Sequence, residues 1–508
     1  MLWAPDIPRT EERREGVCGS SPRLRVRTKG ATRGDRLLRE GVVREGGTGM
    51  RTGIRRASAR PSRRGRDLDG AGVLRRARAV LALGLHLGFL LGLSACQRDL
   101  PPDVILVIVD TLRAQNLSTL GYERDTTPNL TRFAEDAITY EDAISTGTWT
   151  VPAHGSMFTG LLPSFHGAER VAADRNLVTP INPEVKTLAE ILRAHGYRTA
   201  GFIANSTYLA PSLGFARGFE KFAPEEGRAD AVGNKAIDWL AGSPRPTFLF
   251  VNVLDPHEPY EPPPPYDQSY PGKRDDLGNK ITDLYWKGTE FTPEIRRHFE
   301  SQYDGEISYT DRALDGFFAR LRDVGRYDES LLILTSDHGE LLGEHGLAGH
   351  GADPYQELVH VPLFVKMPRG AEAGTRVERR VSTMGIFATI LAAARVPLPE
   401  GSQSVELAQP QDVWTEDVSW FGQRITAGYD GDMKLVRREK TDQLKERSDL
   451  YALDRDPKEA SPLDLARAPA LVEKMRRFRE EPRPTNEAPP PLVDPERERK
   501  LRELGYIH

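Results

Sequence analysis

The sequence contains little cysteine. Cys18 and Cys96 are the only two among 508 residues, so the chain after Cys96 holds no thiol. A disulfide framework and a catalytic thiol are therefore excluded for that part of the chain. A hydrophobic content of 38% is enough for a sizeable core. We expect the chain after Cys96 to be stable through its core alone.

A large net charge is also lacking. The formal net charge of -4 is small for 508 residues. No overall field therefore marks the protein as a nucleic-acid binder, and no nucleic-acid partner is expected. We find no internal repeat.

Lysine is scarce in residues 1–72, where seventeen arginines accompany the single Lys29. Gly, Ser and Pro separate these arginines without a periodic apolar pattern, so we expect the segment to be disordered. A basic arm for nucleic acid or membranes would mix lysine with arginine in clusters. We interpret residues 1–72 as an Arg-rich extension outside the mature protein, with a basic arm as the alternative.

A secretory signal is predicted for residues 73–96. Three arginines within residues 75–78 precede an apolar run over residues 79–92, which is shorter than a comfortable membrane span. The L-S-A-C that ends at Cys96 resembles the lipobox of bacterial lipoproteins. This predicts a lipid anchor on Cys96, facing the periplasm of a bacterial cell envelope; an uncleaved anchor and a buried helix are the alternatives. Gln97, in place of an aspartate, favours the outer membrane.

Four apolar runs rich in β-branched residues predict buried strands. They cover residues 103–110, 199–205, 247–255 and 330–337. Continuous runs of this kind are typical of parallel strands buried on both faces. Helical patterns lie between them, for example at residues 187–195 and 307–321. Alternating strands and helices predict an α/β fold, with a central, mostly parallel sheet flanked by helices.

Each of these runs ends in polar residues. In open α/β sheets ligands bind beyond the carboxyl ends of the strands, so these side chains are expected to converge on one edge. Asp and Asn also begin ordinary turns after strands, which is the alternative for any one of them. The repetition in four runs favours a site. The residues are Asp110, Asn205, Asp255 with His257, and Asp337 with His338.

The motif T-S-D-H-G-E-L-L-G-E-H-G at residues 335–346 contains candidate metal ligands. Asp337 and His338 can direct an oxygen and a nitrogen at the same cation, and Asp110 can supply a further oxygen. Such a set suits one divalent metal; the histidine favours Zn or Mn, with Ca or Mg as alternatives. A structural Asp–His pair is the other interpretation.

The stretch G-T-W-T-V-P-A-H-G-S-M-F-T-G at residues 147–160 contains a second kind of candidate. Pro152 suits the first turn of a helix, which places Thr150 at a helix N-terminus, where backbone N–H groups favour an anion. The Thr150 hydroxyl is either an ordinary N-cap or, beside a metal, a nucleophile. His154 can hydrogen-bond that hydroxyl or a substrate oxygen.

The domain organisation follows from changes in composition. Residues 267–300 are polar and are expected to form an excursion from the core. We expect a catalytic domain over residues 97–400, a C-terminal subdomain over 401–480 that includes strands within 431–438 and 448–457, and a Pro-rich linker with a terminal helix over 481–508.

Seven motifs, in order from residue 103 to residue 457, resemble those of the sulfatase family of the alkaline phosphatase superfamily. The resemblance implies an alkaline-phosphatase-like α/β catalytic domain with a small C-terminal sheet subdomain. It also implies a divalent metal under the nucleophile and hydrolysis of sulfate or phosphate esters. The motifs are D-V-I-L-V-I-V-D-T-L-R, T-T-P-N-L, W-T-V-P-A-H-G-S-M-F-T-G, D-P-H-E-P-Y, T-S-D-H-G-E-L-L-G-E-H-G, H-V-P-L and S-D-L-Y-A-L-D-R-D-P.

The resemblance also implies site residues by position. Thr150 matches the nucleophile of the family signature. His257 of D-P-H-E-P-Y resembles a histidine that contacts the substrate oxyanion or the leaving group, and His350 resembles a histidine near the phosphate in related phosphotransferases. His350 and His154 are candidates to protonate the leaving group. The expected metal ligands are Asp110, Thr150, Asp337 and His338.

Several positions depart from the family pattern. Sulfatases convert a cysteine or serine at the nucleophile position into formylglycine, whereas oxidation of Thr150 would give a ketone. Thr111 replaces the second aspartate of the usual pair, His154 replaces the signature arginine, and a G-K-W-H segment is not evident. The remaining set of Asp, Thr, Asp and His around one metal is similar to that of lipoteichoic acid synthases and lipid A phosphoethanolamine transferases. These enzymes use threonine to take up a phosphoryl-linked group.

The sequence therefore predicts a metal-dependent ester hydrolase or transferase, with phosphoester or phosphodiester chemistry favoured. Sulfate ester hydrolysis and non-catalytic binding of anionic glycans or lipid headgroups are the alternatives. The expected partner is a sulfated or phosphorylated small molecule, glycan or lipid headgroup. Arg113 and Lys434 are further candidates for positive charge, and Glu340 is expected to support its loop by hydrogen bonding. The histidines expected to be structural or at the surface are His166, His195, His298, His345 and His360.

Overall fold

A nine-stranded sheet forms the centre of the computed structural model, which describes residues 100–420, 422–491 and 499. Several sequence predictions fall outside these residues. They are the Arg-rich extension (1–72), the signal with its Cys96 anchor (73–96) and nearly all of the terminal helix.

The strands and helices of the described residues are as follows. The strands are β1 Val104–Val109, β2 Ile138–Ile144, β3 Arg170–Val171, β4 Asp174–Val178, β5 Arg198–Ile203, β6 Lys221–Pro224, β7 Thr247–Val253, β8 Leu331–Ser336, β9 Leu341–Leu342, β10 Ala348–Gly349, β11 His360–Lys366, β12 Arg376–Val377, β13 Val381–Ser382, β14 Trp414–Val418, β15 Arg424–Asp430, β16 Met433–Arg438 and β17 Arg447–Ala452. The helices are α1 Pro128–Ala134, α2 Thr150–Thr159, α3 Pro163–His166, α4 Leu188–Ala194, α5 Ala229–Ala241, α6 Ile281–Trp286, α7 Pro293–Asp323, α8 Gln356–Val359, α9 Gly385–Ala393 and α10 Pro469–Glu480.

The central sheet is mostly parallel. Its order is β12, β2, β11, β8, β1, β7, β5, β6, with β13 also paired to β2. The neighbours of β1, which are β7 and β8, run parallel to it, and so does β5 beyond β7. Strand β11 is antiparallel to both β8 and β2. The predicted α/β fold is confirmed.

Strand β1 is buried on both faces, as its apolar run predicts. Val104, Leu106 and Ile108 belong to one hydrophobic cluster, and the alternate residues of the strand belong to another. The first cluster includes side chains of α2, α4 and α9, and the second includes side chains of α1, α5 and α7. Because successive side chains of a strand point to opposite faces, two helical layers enclose the sheet.

Two helix boundaries follow from their capping residues. Helix α4 begins after Thr187, whose hydroxyl accepts a hydrogen bond from Glu190 N while the Glu190 carboxylate accepts from Thr187 N. Helix α7 begins at Pro293, after the N-cap Thr292. The predicted polar excursion over 267–300 is wrong at its end, because α7 has already begun at Pro293. The first turns of α7 expose a polar face, so their composition resembles that of a loop.

A separate antiparallel sheet follows the central one. Its strands lie in the order β14, β15, β16, β17, and α10 packs on it through stacked rings of Trp414 and Phe478 at 4.2 Å. This is the small C-terminal sheet that the resemblance implied. No helix of the residues that the structure describes is long and apolar enough to cross a membrane.

Candidate active site

Three neighbouring strands of the central sheet end at the same level. Val109 of β1 pairs with Val253 of β7 and with Ser336 of β8, so the residues that follow these strands emerge together. This brings Asp110 beside Asp337 and His338, as predicted. One ligand atom from each of these three lies within 4.8 Å of the others, and all three side chains are fully buried.

The Asp110 carboxylate is only partly engaged by the protein. Its Oδ2 accepts a hydrogen bond from Asn205 Nδ2 at 2.9 Å. Its Oδ1 has no hydrogen-bond donor among the described residues. Burial raises the pKa of Asp110 to about 7, against the lowering effect of the Asn205 amide. Asn205, from the end of β5, therefore reaches the site as the strand-end pattern predicts.

The Asp337 carboxylate has the same one-sided arrangement. Its Oδ1 accepts from the backbone N–H groups of His338 (2.9 Å) and Thr111 (3.3 Å). Within the described chain, no donor reaches Oδ2. Burial, followed by the charge of Asp110, raises the pKa of Asp337. Thr111, which donates to this carboxylate, adopts a positive φ of 54°, which is rare for a β-branched residue.

His338 presents a nitrogen lone pair to the two carboxylates. Its Nδ1–H donates to the Gly339 carbonyl at 2.8 Å, which leaves Nε2 unprotonated in the neutral ring. Nε2 lies 3.4 Å from Asp337 Oδ2 and 3.6 Å from Asp110 Oδ1. Burial lowers the pKa of His338, so the neutral form is favoured.

This donor set fits a divalent cation. Two buried carboxylate oxygens without donors and one imidazole lone pair meet at one point, where their negative charge is otherwise uncompensated. The Gly339 carbonyl and the backbone N–H groups orient the ligands from outside, as partners of metal ligands do. The preference for Zn or Mn stays a prediction.

Thr150 is the first residue of α2 and its hydroxyl faces the same point. The N-cap of the helix is Trp149, so the N-cap interpretation of Thr150 is wrong by one residue. Thr150 Oγ1 lies 3.5 Å from His338 Nε2 and 3.4 Å from Asn205 Nδ2. These are long, weak contacts, and they place the hydroxyl beside the metal-type ligands at a helix N-terminus.

His154 lies on the next turn of α2, behind Thr150. Its Nδ1–H donates to the Thr150 carbonyl oxygen at 2.9 Å, rather than to the hydroxyl, and lies 3.4 Å from Asp337 Oδ2. The ring is fully buried and contacts the rings of Phe158, Phe215 and Phe250. Burial lowers the pKa of His154 to about 3. In this position the ring supports the start of the helix, and its role in proton transfer stays a prediction.

His257 and His350 form the mouth of the site. They retain 5% and 8% exposure, whereas Asp110, Thr150 and His338 have none. Their ring centroids lie 5.1 Å apart, and the His350 ring lies 4.6 Å from that of His338. Of the candidate catalytic and metal-ligating residues, these two imidazoles are the most exposed to solvent, and the rest are fully buried.

Both of these histidines are held through Nδ1. His257 Nδ1 lies 2.6 Å from the Glu258 carbonyl oxygen, and His350 Nδ1 lies 2.9 Å from Glu340 Oε1. Burial lowers the pKa of His257 to about 4 and that of His350 to about 3. The expected supporting role of Glu340 is visible in this bond to His350.

The two other candidate cations lie in buried ion pairs. Arg113 is buried, and it donates to Glu344 Oε1 at 2.9 Å and to the Glu340 carbonyl at 3.0 Å. Lys434, on β16, lies 2.7 Å from Glu459 Oε1. Both charges are balanced by the protein's own carboxylates.

The five histidines expected outside the site are placed elsewhere in the fold. His345 stacks on Tyr355 at 3.6 Å, and His166 is packed beneath α2 against Gly155. The remaining three hydrogen-bond to backbone groups: His195 to Ile191, His298 to Arg274 and Gly278, and His360 to Glu141.

Sequence reasoning missed two residues that support the loop before Thr150. Asp417, on β14, accepts from the Trp149 indole N–H at 3.0 Å and from the Thr148 hydroxyl. The Arg170 guanidinium lies over the Trp149 ring at 4.1 Å. No local pattern marks either residue, because Asp417 contacts a segment 269 positions earlier in the chain.

Comparison with known proteins identifies a family. The family model described as Sulfatase matches residues 102–396. An arylsulfatase of Clostridium perfringens (strain 13 / Type A) is 23% identical over 441 residues, which cover 71% of this chain and 90% of the relative.

Solved structures share the fold. The crystal structure of phosphonate monoester hydrolase of Agrobacterium radiobacter matches with a TM-score of 0.60 and 19% identity, over 75% of this chain and 94% of that one. A structure in complex with its substrate D-glucosamine-2-N,6-O-disulfate matches with a TM-score of 0.59 and 16% identity, over 80% and 98% of the two chains.

Proposed function

This protein belongs to the sulfatase family, and from that premise we propose that it is a metal-dependent ester hydrolase or transferase with Thr150 as nucleophile. One observation carries the proposal. The Thr150 hydroxyl, at a helix N-terminus, lies 3.5 Å from the ring nitrogen of His338 that also faces the Asp110 and Asp337 carboxylates. A hydroxyl, two carboxylates and an imidazole are thus directed at one buried point.

Asp110, Asp337 and His338 would hold the cation, with the Thr150 oxygen completing the set. A bound divalent cation lowers the pKa of a coordinated hydroxyl and offsets charge on the substrate oxygens. The backbone N–H groups at the start of α2 add stabilisation for the same oxygens.

In the first step, Thr150 Oγ, having released its proton to solvent, attacks phosphorus or sulfur. The new bond from Thr150 Oγ forms as the ester bond to the leaving group breaks. The leaving oxygen takes up one proton. The neutral His350, beside His257 at the mouth, can deliver it from Nε2 while its Nδ1 takes a proton from Glu340, whose pKa burial raises to about 7. The product is a covalent ester of Thr150.

In the second step, water or an acceptor alcohol attacks the same centre. Its proton passes to a histidine of the mouth, the bond to Thr150 Oγ breaks, and Thr150 regains a proton. When His350 takes up this proton, its Nδ1 proton returns to Glu340, so the pair ends the cycle as it began. Water gives hydrolysis, and an alcohol gives transfer.

The charges around the site favour a group with a single negative charge. Arg113 is paired with Glu344, and burial keeps His257 and His350 neutral by lowering their pKa values to about 4 and about 3. A phosphodiester or a sulfate monoester carries one charge, whereas a phosphate monoester carries up to two at neutral pH. The threonine further favours phosphorus, since it cannot become the formylglycine of sulfatases. We therefore favour phosphodiester chemistry.

Sulfate ester hydrolysis is the second candidate. It is favoured by the similarity to an arylsulfatase and to a protein solved with a disulfated sugar. The same site would accept the sulfate group of a sulfated glycan, which would enter past His257 and His350. A third alternative, binding of an anionic glycan or lipid headgroup without turnover, would leave the four metal-type residues without a catalytic purpose.

We further propose that the protein is lipid-anchored on Cys96 and faces the periplasm, with the outer membrane favoured. The support is the arginine-led apolar run that ends in L-S-A-C. Fractionation of cells and acyl labelling of the wild type and Cys96→Ser should show loss of label and release from the envelope in the variant. Equal labelling of both would refute the anchor.

The decisive experiment for the activity is a paired assay of the purified, metal-loaded protein. The substrates are bis(p-nitrophenyl) phosphate, p-nitrophenyl phosphate and p-nitrophenyl sulfate. We expect turnover to be highest on the diester and absent in Thr150→Ala. Thr159→Ala is the matched control, because Thr159 is a buried threonine of the same helix whose hydroxyl donates to Gly155 O at 2.7 Å. An inert wild type with normal metal content would refute the catalytic proposal.

A further inference from the structure

The loop that carries Thr150 is fastened to the first strand of the C-terminal sheet. The Glu416 N–H donates to the Thr146 carbonyl at 2.9 Å, and the Thr415 hydroxyl donates to the Ser145 carbonyl at 2.7 Å. Strand β14 therefore runs alongside the segment that leads into α2.

Asp417 of β14 adds side-chain hydrogen bonds to these backbone contacts. Its two carboxylate oxygens each accept a hydrogen bond, one from the Thr148 hydroxyl and one from the Trp149 indole N–H at 3.0 Å. Asp417 is 1% exposed and both donors are fully buried. Because Trp149 is the N-cap of α2, the carboxylate fixes the residue directly before Thr150.

Arg170 holds the other side of Trp149. Its guanidinium lies 4.1 Å from the Trp149 ring and 4.0 Å from the Trp420 ring, so it stands between two indoles. Its Nη1 donates to the Val418 carbonyl at 3.1 Å and lies 3.9 Å from Asp417 Oδ1. The charge and the planar shape of arginine are both used here.

The same group of residues holds the turn that carries His350. The Gly351 N–H donates to the Thr148 carbonyl at 2.9 Å, and the Trp420 indole N–H donates to the His350 carbonyl at 2.9 Å. Arg170 Nη1 also reaches the Gly351 carbonyl at 3.4 Å. The loop before Thr150 and the turn around His350 are thus joined to one another and to the C-terminal sheet.

We propose that Asp417 and Arg170 are positioning residues, which fix the Thr150 hydroxyl and the His350 ring relative to each other and make the C-terminal sheet part of the active site. This inference rests on the proposed function for its catalytic consequence. Neither side chain touches the substrate. Both act through Thr148, Trp149 and the His350 turn, and a displacement of about 1 Å between reacting groups costs about 100-fold in rate.

The variant Asp417→Ala tests the proposal. It leaves the Trp149 N–H and the Thr148 hydroxyl without their carboxylate, so we expect kcat on bis(p-nitrophenyl) phosphate to fall about 10- to 100-fold with KM within about twofold. Asp417→Asn should recover much of the loss, because its oxygen can accept from Trp149 while its amide donates to the Thr148 hydroxyl. Arg170→Lys should lower kcat as well, since an ammonium cannot stack flat between two indoles.

The control is Asp311→Ala, which removes another carboxylate that is 1% exposed. Asp311 accepts from the backbone N–H groups of Asn129 and Leu130 at 3.0 and 2.8 Å, at the start of α1. We expect it to lower the unfolding temperature while kcat of the folded protein stays at the wild-type value. Equal kcat losses in Asp311→Ala and Asp417→Ala, in proportion to lost stability, would overturn the positioning role.

Hydrogen exchange gives a readout that needs no turnover. In Asp417→Ala we expect the amides of residues 148–151 and of residues 349–352 to exchange faster together, although about 200 positions separate them. Faster exchange in one segment alone, or in neither, would refute the coupling. If the wild type proves inert on every ester while the two segments still respond together, the proposed function fails and the positioning role of Asp417 stands.

Discussion

The hydroxyl oxygen of Thr150 lies 3.5 Å from Nε2 of His338. That nitrogen carries a lone pair because Nδ1–H is committed to the Gly339 carbonyl, and it also faces the two carboxylates. The hydroxyl therefore belongs to the same donor set as the candidate metal ligands. This relationship places the start of α2 within the candidate metal site.

Substitution of the nucleophile should separate chemistry from binding. Thr150→Ala removes the only atom proposed to attack the substrate, so we expect kcat to fall at least about 1,000-fold. Thr150→Ser keeps a hydroxyl at the same place but loses the methyl group that restricts χ1, and we expect it to retain measurable turnover. Steady-state kinetics on bis(p-nitrophenyl) phosphate check both, and unchanged turnover in Thr150→Ala would exclude this residue as nucleophile.

Removal of one carboxylate should remove the cation. Asp337→Asn replaces a charged ligand by an amide, and we expect the bound metal to fall from about one divalent ion per chain to a small fraction. Saturating metal at about 100 times Kd should stabilise the wild type by about 2.7 kcal/mol. Elemental analysis and melting curves with and without chelator measure these effects. A chelator-dependent melting shift of the same size in Asp337→Asn would contradict the ligand assignment.

His350, at the mouth of the site, should affect turnover most for substrates with poor leaving groups. A p-nitrophenolate leaves without a proton, whereas an alkoxide needs one in the transition state. We expect His350→Ala to slow a methyl p-nitrophenyl phosphodiester modestly and a dialkyl phosphodiester by a further factor of about 100. The ratio of kcat/KM for the two substrates, in wild type and variant, gives the answer. An equal loss on both would remove His350 from proton transfer.

The central sheet and the positions of the candidate ligands could be predicted from the sequence because both follow from local patterns. The apolar run before Asp110 specifies a strand buried on both faces, and the parallel topology then brings Asp110 to the same edge as Asp337. Asn205, which follows the end of β5, lies at this edge for the same reason. These inferences need only the order of the elements along the chain.

The details that depend on single backbone angles could not be predicted in this way. An ordinary N-cap is one interpretation of Thr150, but in the structure Trp149 is the N-cap and Thr150 is the first helical residue. Because tryptophan has no side-chain preference that marks an N-cap, this shift of one position could not be predicted. The direction of the His154 ring, toward the Thr150 carbonyl, depends on the packing of three phenylalanines from different elements.

Contacts between distant segments were also beyond sequence reasoning. Asp417 and Arg170 meet Trp149 only because the C-terminal sheet docks against the loop before Thr150. Lys434 illustrates the converse case. It lies on a predicted strand, but the structure pairs it with Glu459, which no periodicity connects to it.

The Lys434–Glu459 pair should prove structural. Both side chains are almost fully buried, and Lys434 also donates to the Pro354 carbonyl. Glu459→Gln leaves the ammonium without its counter-charge, so we expect a loss of about 3 kcal/mol in unfolding free energy. The double variant Lys434→Met with Glu459→Gln should recover part of that loss. Urea unfolding measures the cycle, and a collapse of kcat in Lys434→Met without loss of stability would instead make Lys434 catalytic.

His166 should make the protein less stable in acid. It is fully buried, with Nδ1 accepting from the Ala168 N–H at 3.1 Å and Nε2–H donating to the Pro152 carbonyl at 3.2 Å. A second proton would have to occupy Nδ1 and break the bond to Ala168. Burial accordingly lowers the pKa of His166 from 6.5 to about 3 in the folded state.

Between these two pKa values the unfolded chain binds a proton that the folded chain does not, so the stability from His166 is present above pH 6.5 and is lost as the pH falls below it. At pH 5.5 the loss is about 1.4 kcal/mol. His166→Gln can keep both hydrogen bonds without titrating, so its unfolding free energy should fall by about 1.4 kcal/mol less than that of the wild type between pH 7.5 and 5.5. Urea unfolding at the two pH values measures this difference, with His195→Gln, at an exposed helix end, as the control. Parallel pH dependences in His166→Gln and the wild type would show that His166 does not titrate on unfolding.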